Sequence, residues 1–410
     1  MLRSLHAGIL LSVLLMCFAC RRAFPEQSAW AGTVELANGT IHLPFRMFLD
    51  FHSTKPTGYF LIGDEKAPIP EITRQGNSVT LTFSEYGAEM RAAWNGTQLS
   101  GTYTRRRPEG VTTLTFSASP SGSDSAERLD TSSNNISPAG KYQVFFSDEN
   151  RDKSATVATL WTQGPSLYGT FIAPDGDYGL LTGINAGGKL QLNRFTGWQA
   201  LAITLQQNGS DWTGNYYFLN DKPREFALMR RADLDVVPPA EKQTSMKDPQ
   251  GSFTFQGIAS SGEIVRSSDD QFKGKPLVVD IMGTWCHNCQ DAAPLLQQLQ
   301  TQYAKAGLQV VGISFEVNDD AELGKKNLKL YQDRLGVTYT VLYCGSLDDS
   351  NVKERLHSQL NNFFAYPTTL FIGRDGKVKA IHSGFKGPGT GDQFQSEVRL
   401  LHELAESLVK

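Results

Sequence analysis

The chain has 410 residues, of which 20% are charged, and its formal net charge is −3. This length predicts about three domains. The near-neutral charge excludes a bulk basic surface of the kind that binds nucleic acid.

The first 20 residues have the pattern of an export signal. Arg3 precedes an apolar stretch, residues 7–19, that is too short to span a bilayer comfortably. Ala19 is the small residue that a cleavage signal needs, and Cys20 follows it as in bacterial lipoproteins. We therefore expect a lipoprotein-type signal over 1–20 and a lipid on Cys20, which anchors the protein to a membrane of the bacterial envelope, facing the periplasm. An ordinary signal peptide cut nearby is the alternative.

Residues 24–117 and 138–230 are predicted to form two antiparallel β domains that repeat one unit. Asn95–Tyr103 matches Asn208–Tyr216, and apolar and polar residues alternate through both copies between Asn-Gly, Gly-Asn or Asp-Gly turns. This pattern predicts that each copy folds as a small barrel or sandwich. The sequence of these copies contains no acid/base pair, metal cluster or phosphate loop, so it assigns them no chemistry.

Two linkers are predicted beside these domains. Residues 118–137 are rich in Ser, Asp and Asn, a composition that cannot bury a core. Residues 231–249 contain Pro238-Pro239, which stiffens a linker locally. We expect residues 24–230 to fold without the C-terminal domain and to leave its chemistry with small disulfides unchanged.

Residues 250–410 are organised around Cys286 and Cys289. The apolar run Leu277–Met282 predicts a buried strand, and the apolar spacing after Cys289 predicts a helix, so this Cys-x-x-Cys pair lies on the first helical turn. Side chains at i and i+3 of a helix are close enough for a disulfide. Because the helix start favours a thiolate, we expect Cys286 to be the nucleophile and Cys289 the resolving thiol.

Two structural roles for the pair are disfavoured. A structural zinc site needs four ligands, and beyond the pair the mature chain offers only Cys344 and scattered histidines. A purely structural disulfide would close so short a loop that it would constrain the unfolded chain little. Cys344 ends a predicted strand and is expected to be a buried apolar residue rather than a third redox centre.

Further residues connect the pair to a known family. Pro294 lies in the predicted helix, Asp280 lies on the strand before it, and Tyr366-Pro367 opens another predicted strand. With these features, residues 250–410 resemble the thioredoxin superfamily, and specifically the exported thiol-disulfide oxidoreductases of the TlpA/ResA type. Apolar patterns add predicted strands near Ser252–Phe255 and Leu308–Phe315, and predicted helices near Ala321–Leu335, Asn351–Phe363 and Gln393–Leu408. Together with the resemblance they imply an α/β thioredoxin-like domain with a central mixed sheet flanked by helices. The expected fold is therefore multidomain, with the two antiparallel all-β repeat domains preceding that domain.

Proton transfer at the pair is expected to depend on Asp280. A buried carboxylate resists ionising, so it can accept the proton of Cys289 near neutral pH. Relatives of the TlpA/ResA type commonly carry glutamate where this chain has Ala292. The neighbouring Asp291 is the competing candidate, but about 100° of helical rotation separates it from Ala292, and we expect it to face solvent.

Substrate contacts are expected from the residues that flank the pair. Trp285 shields the disulfide, and Tyr366-Pro367, cis by resemblance to the family, lies against Cys286 and offers backbone groups to a bound peptide. His287 has two possible roles. It either favours the thiolate when protonated, or it is an exposed residue of the helix start without a function.

The resemblance implies a reductase of protein disulfides that needs no cofactor, draws electrons from a membrane protein and, in many relatives, serves cytochrome c maturation. A disulfide oxidase or isomerase is the alternative within this class. From another class, the β repeats could be the main functional part of an envelope binding protein.

Overall fold

The computed structural model describes residues 23–107, 110–121, 138–148, 156–163, 166–186, 189–209, 211–231 and 243–410. The expected signal with Cys20, residues 122–137 of the first linker and residues 232–242 of the second lie outside the described residues. Within the described ranges, no helix is both long and apolar enough to cross a membrane.

An antiparallel sheet of nine strands comes first. Alternate residues of its strands are buried, as at Leu43, Phe45 and Met47, which is the period-2 pattern of a sheet with one inward face. The strands are β1 (Gln27–Leu36), β2 (Ile41–Asp50), β3 (Thr57–Ile62), β4 (Glu65–Pro68), β5 (Glu71–Gln75), β6 (Ser78–Phe83), β7 (Ala88–Trp94), β8 (Leu99–Arg107) and β9 (Gly110–Ser121). They pair in the order β4-β3-β2-β1-β9-β8-β7-β6-β5. The sheet, as far as it is described, is open between β4 and β5 and forms a half-barrel.

The next nine strands form a second antiparallel sheet, in which eight strands close into a barrel. They are β10 (Gly140–Phe146), β11 (Val157–Gln163), β12 (Ser166–Ala173), β13 (Gly176–Asp177), β14 (Leu181–Ala186), β15 (Lys189–Phe195), β16 (Ala200–Asn208), β17 (Asp211–Phe218) and β18 (Arg224–Arg230). Closure follows because β10 pairs with both β11 and β18, while β11 also pairs with β12 and β12 with β14. The short strand β13 pairs with β12 beside this ring.

The half-barrel and the barrel share one hydrophobic core. Phe195, Ala200 and Leu219 of the barrel region are buried in the core of the half-barrel. The Phe195 ring lies 5.1 Å from that of Phe45 and 5.0 Å from that of Phe60. The N-terminal region is therefore β-rich as expected. Since one sheet closes and the other does not, the internal repeat stays a prediction.

The C-terminal domain has a mixed sheet with helices. Its strands are β19 (Ser245–Met246), β20 (Gln256–Ala259), β21 (Ile264–Arg266), β22 (Leu277–Met282), β23 (Gln309–Glu316), β24 (Thr340–Ser346), β25 (Leu360–Asn361), β26 (Thr368–Ile372) and β27 (Val378–Ser383). The main sheet has the order β21-β20-β24-β23-β22-β26-β27, and β19 pairs with β25. Strand β22 is parallel to β23 and antiparallel to β26, and all six of its residues are buried.

The helices of this domain are α1 (His287–Tyr303), α2 (Ala321–Leu335), α3 (Asp349–Val352) and α4 (Asp392–Val409), with a π-helical turn at Lys353–His357. Since β22 ends at Met282 and α1 begins at His287, the cysteine pair lies at the exit of a central strand, as predicted.

Two predicted elements of the C-terminal domain differ from the structure, one in full and one in its second half. A strand was expected at Ser252–Phe255, but the backbone N–H and C=O of Thr254 bond instead to the side chain of Gln359, at 2.8 and 3.0 Å. A helix was expected over 351–363, but it ends early because Leu360–Asn361 pairs as a strand with Ser245–Met246.

Candidate active site

Cys286 and Cys289 form a disulfide at the start of α1, with their Cα atoms 5.2 Å apart. Cys286 is the N-cap of the helix, and its sulfur accepts the backbone N–H of Cys289 at 3.1 Å. Cys286 is 5% exposed and Cys289 is fully buried. The sulfur of Cys286 therefore lies at the positive end of the helix, where a thiolate is stabilised.

Tyr366 and Trp285 lie against this disulfide. The Tyr366–Pro367 peptide bond is cis, as the resemblance implies, and the Tyr366 carbonyl oxygen is 3.4 Å from the Cys286 sulfur. The Trp285 indole packs edge-on against the Tyr366 ring at 5.5 Å and donates its N–H to the Phe315 carbonyl at 2.7 Å. The structure thus brings the expected substrate-contact residues together on one side of Cys286.

Asp280 is fully buried on β22. Its Oδ1 accepts the Thr369 hydroxyl at 2.8 Å, and its Oδ2 has no hydrogen-bond partner among the described residues. Burial raises the pKa of this carboxyl to about 7, although the Thr369 hydrogen bond and His382 act in the opposite direction. The carboxyl can therefore exchange a proton near neutral pH.

Tyr331 contacts Cys289 and is close enough to Asp280 to be affected by its charge. The Tyr331 hydroxyl donates to the Cys289 carbonyl oxygen at 3.4 Å. Burial is the main reason that the pKa of Tyr331 is raised, and the Asp280 charge adds to it. Asp280 thus acts electrostatically on a group that touches the second cysteine.

A second buried carboxyl, Glu316, was missed in the sequence. It ends β23 and accepts the Thr284 backbone N–H at 3.1 Å and the Thr284 hydroxyl at 2.6 Å. Burial raises the pKa of Glu316. These bonds hold the turn that leads from β22 to Cys286. An acid that closes the apolar run Val310–Phe315 was the available signal.

His287 is not an exposed residue of the helix start. Its Nε2 lies 3.4 Å from Asp291 Oδ2 and 3.9 Å from Asp177 Oδ1 of the barrel, and its ring is 5.7 Å from that of Trp198. Burial lowers the pKa of His287, but the Asp291 and Asp177 carboxylates outweigh burial and raise it overall. Asp291 was expected to face solvent; its side chain is 28% exposed, and it lines a cleft that is also lined by residues of the β region.

The β region reaches the active-site helix at further points. The Tyr86 hydroxyl contacts the Gln290 side-chain amide, and the Tyr86 ring stacks on Trp198 at 4.3 Å. Arg334 of α2 donates to Glu85 at 3.0 Å. These contacts join the β region to the redox domain, and the expected independence of the two stays a prediction.

A cleft of about 450 Å³ lies where these contacts meet. The half-barrel contributes Glu65 and Tyr86, the barrel contributes Arg194 and Trp198, and α1 contributes the face that carries His287, Gln290 and Asp291. Arg194 is almost completely buried and forms two hydrogen bonds with Glu65, at 2.9 and 2.8 Å. The active-site helix is thus flanked by charged groups of the β region.

A mixed sheet, a Cys-x-x-Cys disulfide capping the following helix and a cis-proline beside the first sulfur define a thioredoxin-like redox domain. Residues 247–381 match the model of the AhpC/TSA family.

Two relatives in sequence carry names of this class. The chain is 28% identical over 145 residues to "Thioredoxin-like protein YneN" of Bacillus subtilis, which covers 35% of this chain and 76% of the relative. It is 28% identical over 115 residues to "Thiol-disulfide oxidoreductase ResA" of Geobacillus thermodenitrificans, covering 28% of this chain and 57% of that relative. A crystal structure of a "thiol:disulfide interchange protein, thioredoxin family protein" from Chlorobium tepidum aligns at 20% identity and a TM-score of 0.30, over 40% of this chain and 100% of that one. The C-terminal domain is a thiol-disulfide oxidoreductase domain of the TlpA/ResA type.

Proposed function

We propose that this chain is an exported reductase of protein disulfides, with Cys286 as nucleophile and Cys289 as resolving thiol. The observation that carries the proposal is the position of the Cys286 sulfur, which caps α1 and faces the Tyr366 carbonyl at 3.4 Å. A peptide that pairs with the backbone beside Pro367 would bring its own disulfide to this sulfur.

The reaction has two steps. The Cys286 thiolate attacks one sulfur of the partner disulfide, so a mixed disulfide forms and the other partner sulfur leaves as a thiolate that takes up a proton. The Cys289 thiolate then attacks the Cys286 sulfur and breaks the mixed disulfide. The partner departs with two thiols, and the two electrons come from the cysteine pair, which ends as the disulfide.

Asp280 is the proposed acceptor of the Cys289 proton. Cys289 is fully buried, so its thiol resists ionising without a base nearby. A carboxyl with a pKa of about 7 is balanced between its two forms near neutral pH, where it can take up a proton and release it again.

Trp285 and Tyr366-Pro367 are the proposed substrate contacts. Trp285 packs on Tyr366 and fixes the wall against which a partner chain would lie. The resemblance to TlpA/ResA proteins suggests reduction, electrons from a membrane protein and a place in cytochrome c maturation, and we carry these features over as part of the proposal.

The export and the anchor belong to the same proposal. The signal pattern of residues 1–20 and the Ala19-Cys20 pair support a lipid on Cys20 and a periplasm-facing location in the bacterial envelope. Mass spectrometry of the mature N-terminus, together with membrane fractionation, tests this part. An unmodified N-terminus in a soluble fraction would contradict it.

A redox titration and an insulin-reduction assay test whether the protein acts as a reductase or as an oxidase. The full chain is equilibrated with glutathione buffers, and the fraction of disulfide is read by alkylation and mass. A reductase has a potential near or below that of thioredoxin, about −270 mV, and reduces insulin. A potential near about −120 mV, with no insulin reduction, would support the oxidase alternative instead.

A further inference from the structure

Asp177 reaches the active-site helix from the barrel. It ends the short strand β13 and is 5% exposed. Its Oδ1 accepts the Gly179 N–H at 2.7 Å within the barrel, and its Oδ2 accepts the Gly387 N–H of the redox domain at 2.6 Å. The carboxylate therefore bridges the two regions. Its Oδ1 also lies 3.9 Å from Nε2 of His287, a buried nitrogen that has no hydrogen-bond partner among the described residues.

The backbone around Asp177 is shaped for this close approach. A Cβ atom on Gly176 would lie 1.8 Å from the Asn288 amide nitrogen, and one on Gly387 would lie 2.3 Å from Asp291 Oδ2. A Cβ at either position would force the Asn288 or Asp291 side chain to move, and Gly176 also has a φ of 138°, which disfavours other residues. Glycine at both positions lets β13 and the loop before α4 meet beside the start of α1.

We propose that Asp177 is a positioning residue of the redox site, supplied by the β region, which holds the imidazole of His287, the residue after Cys286, as a cation. This inference rests on the proposed thiol-disulfide chemistry and adds to it a contribution from outside the thioredoxin-like domain.

The charges that face His287 fit this role. Asp291 lies on the same helix, Asp177 and Arg194 come from the barrel, and Glu65 comes from the half-barrel. Burial acts to raise the pKa of Asp177, but His287 and the N–H groups of Gly387 and Gly179 lower it overall. Burial raises the pKa of Asp291 to about 6. Asp177 is therefore the more firmly ionised partner of the imidazolium.

A cation at this position acts on the nucleophile. The imidazolium stabilises the Cys286 thiolate in the reduced protein, so the thiol ionises at lower pH and attacks a disulfide faster in neutral or mildly acidic solution. The direct effect of Asp177 on the thiolate has the opposite sign, because two negative charges repel each other. The presence of His287 thus decides which effect of Asp177 prevails.

The sign of the effect provides the test. The reduced full chain is alkylated with iodoacetamide from pH 4 to 9, and the rate at Cys286 is read by mass in four proteins: wild type, Asp177→Asn, His287→Gln and the double variant. We expect Asp177→Asn to slow alkylation about fivefold at pH 6 in the wild-type background. In the His287→Gln background, we expect it to have no effect or to accelerate alkylation. Asp148→Asn, which removes an exposed carboxylate paired with Arg224 at 2.8 Å, is the matched control and should change nothing.

An equal slowing in both backgrounds, or none in the wild-type background, would overturn the proposal. A second measurement needs no Asp177 variant: the His287 ring is titrated by NMR in the wild type, with His287→Gln to assign its signal. An imidazole pKa at or below the ordinary value of about 6.5 would also overturn it. These readouts are independent of insulin reduction, so the failure of the proposed function would be recognised separately.

Discussion

Cys286 and Cys289 lie three residues apart but differ in their surroundings. The Cys286 sulfur caps α1 and retains slight exposure, whereas Cys289 is sealed in the core with its carbonyl oxygen bonded to Tyr331. We therefore expect a partner disulfide to react at the first sulfur and not at the second. The difference follows from the position of each residue on the first helical turn, which is why the sequence sufficed to predict it.

We expect Cys286→Ser to abolish disulfide reduction and Cys289→Ser to accumulate mixed disulfides with partner proteins. Without Cys289 the first step still proceeds, but the mixed disulfide has no resolving thiol. Non-reducing electrophoresis and mass spectrometry of each variant after incubation with oxidised insulin measure this. Trapping by Cys286→Ser instead would reverse the two roles.

The rate of resolution is expected to depend on Asp280. Asp280→Asn should slow the second step by about 100-fold, the contribution of a positioned proton acceptor, and largely spare the first. Adding Ala292→Glu should partly restore the rate, because it returns a carboxyl to the buried face of α1. Stopped-flow measurement of the rates of both steps in each variant tests this prediction. If Asp280→Asn resolves the mixed disulfide at the wild-type rate and Asp291→Asn does not, then Asp291 and not Asp280 is the proton acceptor.

Asp280 should also affect the dependence of stability on pH. Its pKa is about 7 in the folded chain against an ordinary 3.8, so between these values the folded state binds one more proton than the unfolded state. The contribution of Asp280 to the free energy of unfolding is complete below about pH 4. It falls by roughly 4 kcal/mol as the pH rises to 7. In denaturant unfolding of the oxidised protein, Asp280→Asn should lack this decline. A parallel decline in both proteins would contradict the assigned pKa.

Among the elements, β22 and α1 were predictable, and the contacts of α1 with the β region were not. The apolar run of β22 and the apolar spacing of α1 are local sequence patterns, and the structure has the strand and the helix that they predict. Asp177 and Asp291 are 114 positions apart in the sequence, and no local pattern indicates that β13 ends beside α1. For the same reason the sequence did not indicate that the backbone of Thr254 bonds to the distant Gln359 side chain and does not pair as a strand.

The 3-10 turn Ser84–Tyr86 is an element whose contact with α2 can be measured. Its Glu85 is buried, and Arg334 is the cation beside it at 3.0 Å. Arg334→Met should destabilise the chain by about 3 kcal/mol, because it leaves a buried carboxyl without its partner. The double variant Glu85→Gln/Arg334→Met should recover most of this loss. Denaturant midpoints at pH 7 provide the measurement.

The control for this turn is an exposed pair on the same helix. Lys329 and Asp333 contact each other with side chains 63% and 60% exposed, so Lys329→Met should cost about 0.5 kcal/mol or less. Equal losses in Arg334→Met and Lys329→Met would show that the Glu85 contact contributes nothing beyond a surface pair.

At the scale of the whole molecule, the β region covers the redox site. Trp285 packs on the core of the half-barrel as well as on that of the redox domain, and His287 contacts Trp198. The residues on both sides of Cys286 are therefore in contact with β strands or their turns. The sequence predicted separate domains because each segment has its own periodicity. Periodicity identifies a core but not the surface on which the next domain packs.

This coverage should limit access for large partners more than for small ones. Trp198 stacks on Tyr86 at 4.3 Å and lies beside His287, so Trp198→Ala weakens the contact between the β region and α1. A loss of about 1.4 kcal/mol would raise the population in which the two have separated about tenfold. We expect the oxidation of the reduced full chain by a protein disulfide to accelerate by up to that factor, while its reaction with hydroxyethyl disulfide changes much less.

The ratio of the two rates is the quantity to measure, because any change in the reactivity of Cys286 itself affects both substrates and cancels. Stopped-flow tryptophan fluorescence would follow the reaction in each case. Trp161→Ala is the matched control, since it also removes an indole but one that stacks on Tyr168 within the barrel, at 6.0 Å. An unchanged ratio in Trp198→Ala, or an equal change in Trp161→Ala, would show that the β region does not restrict partner access.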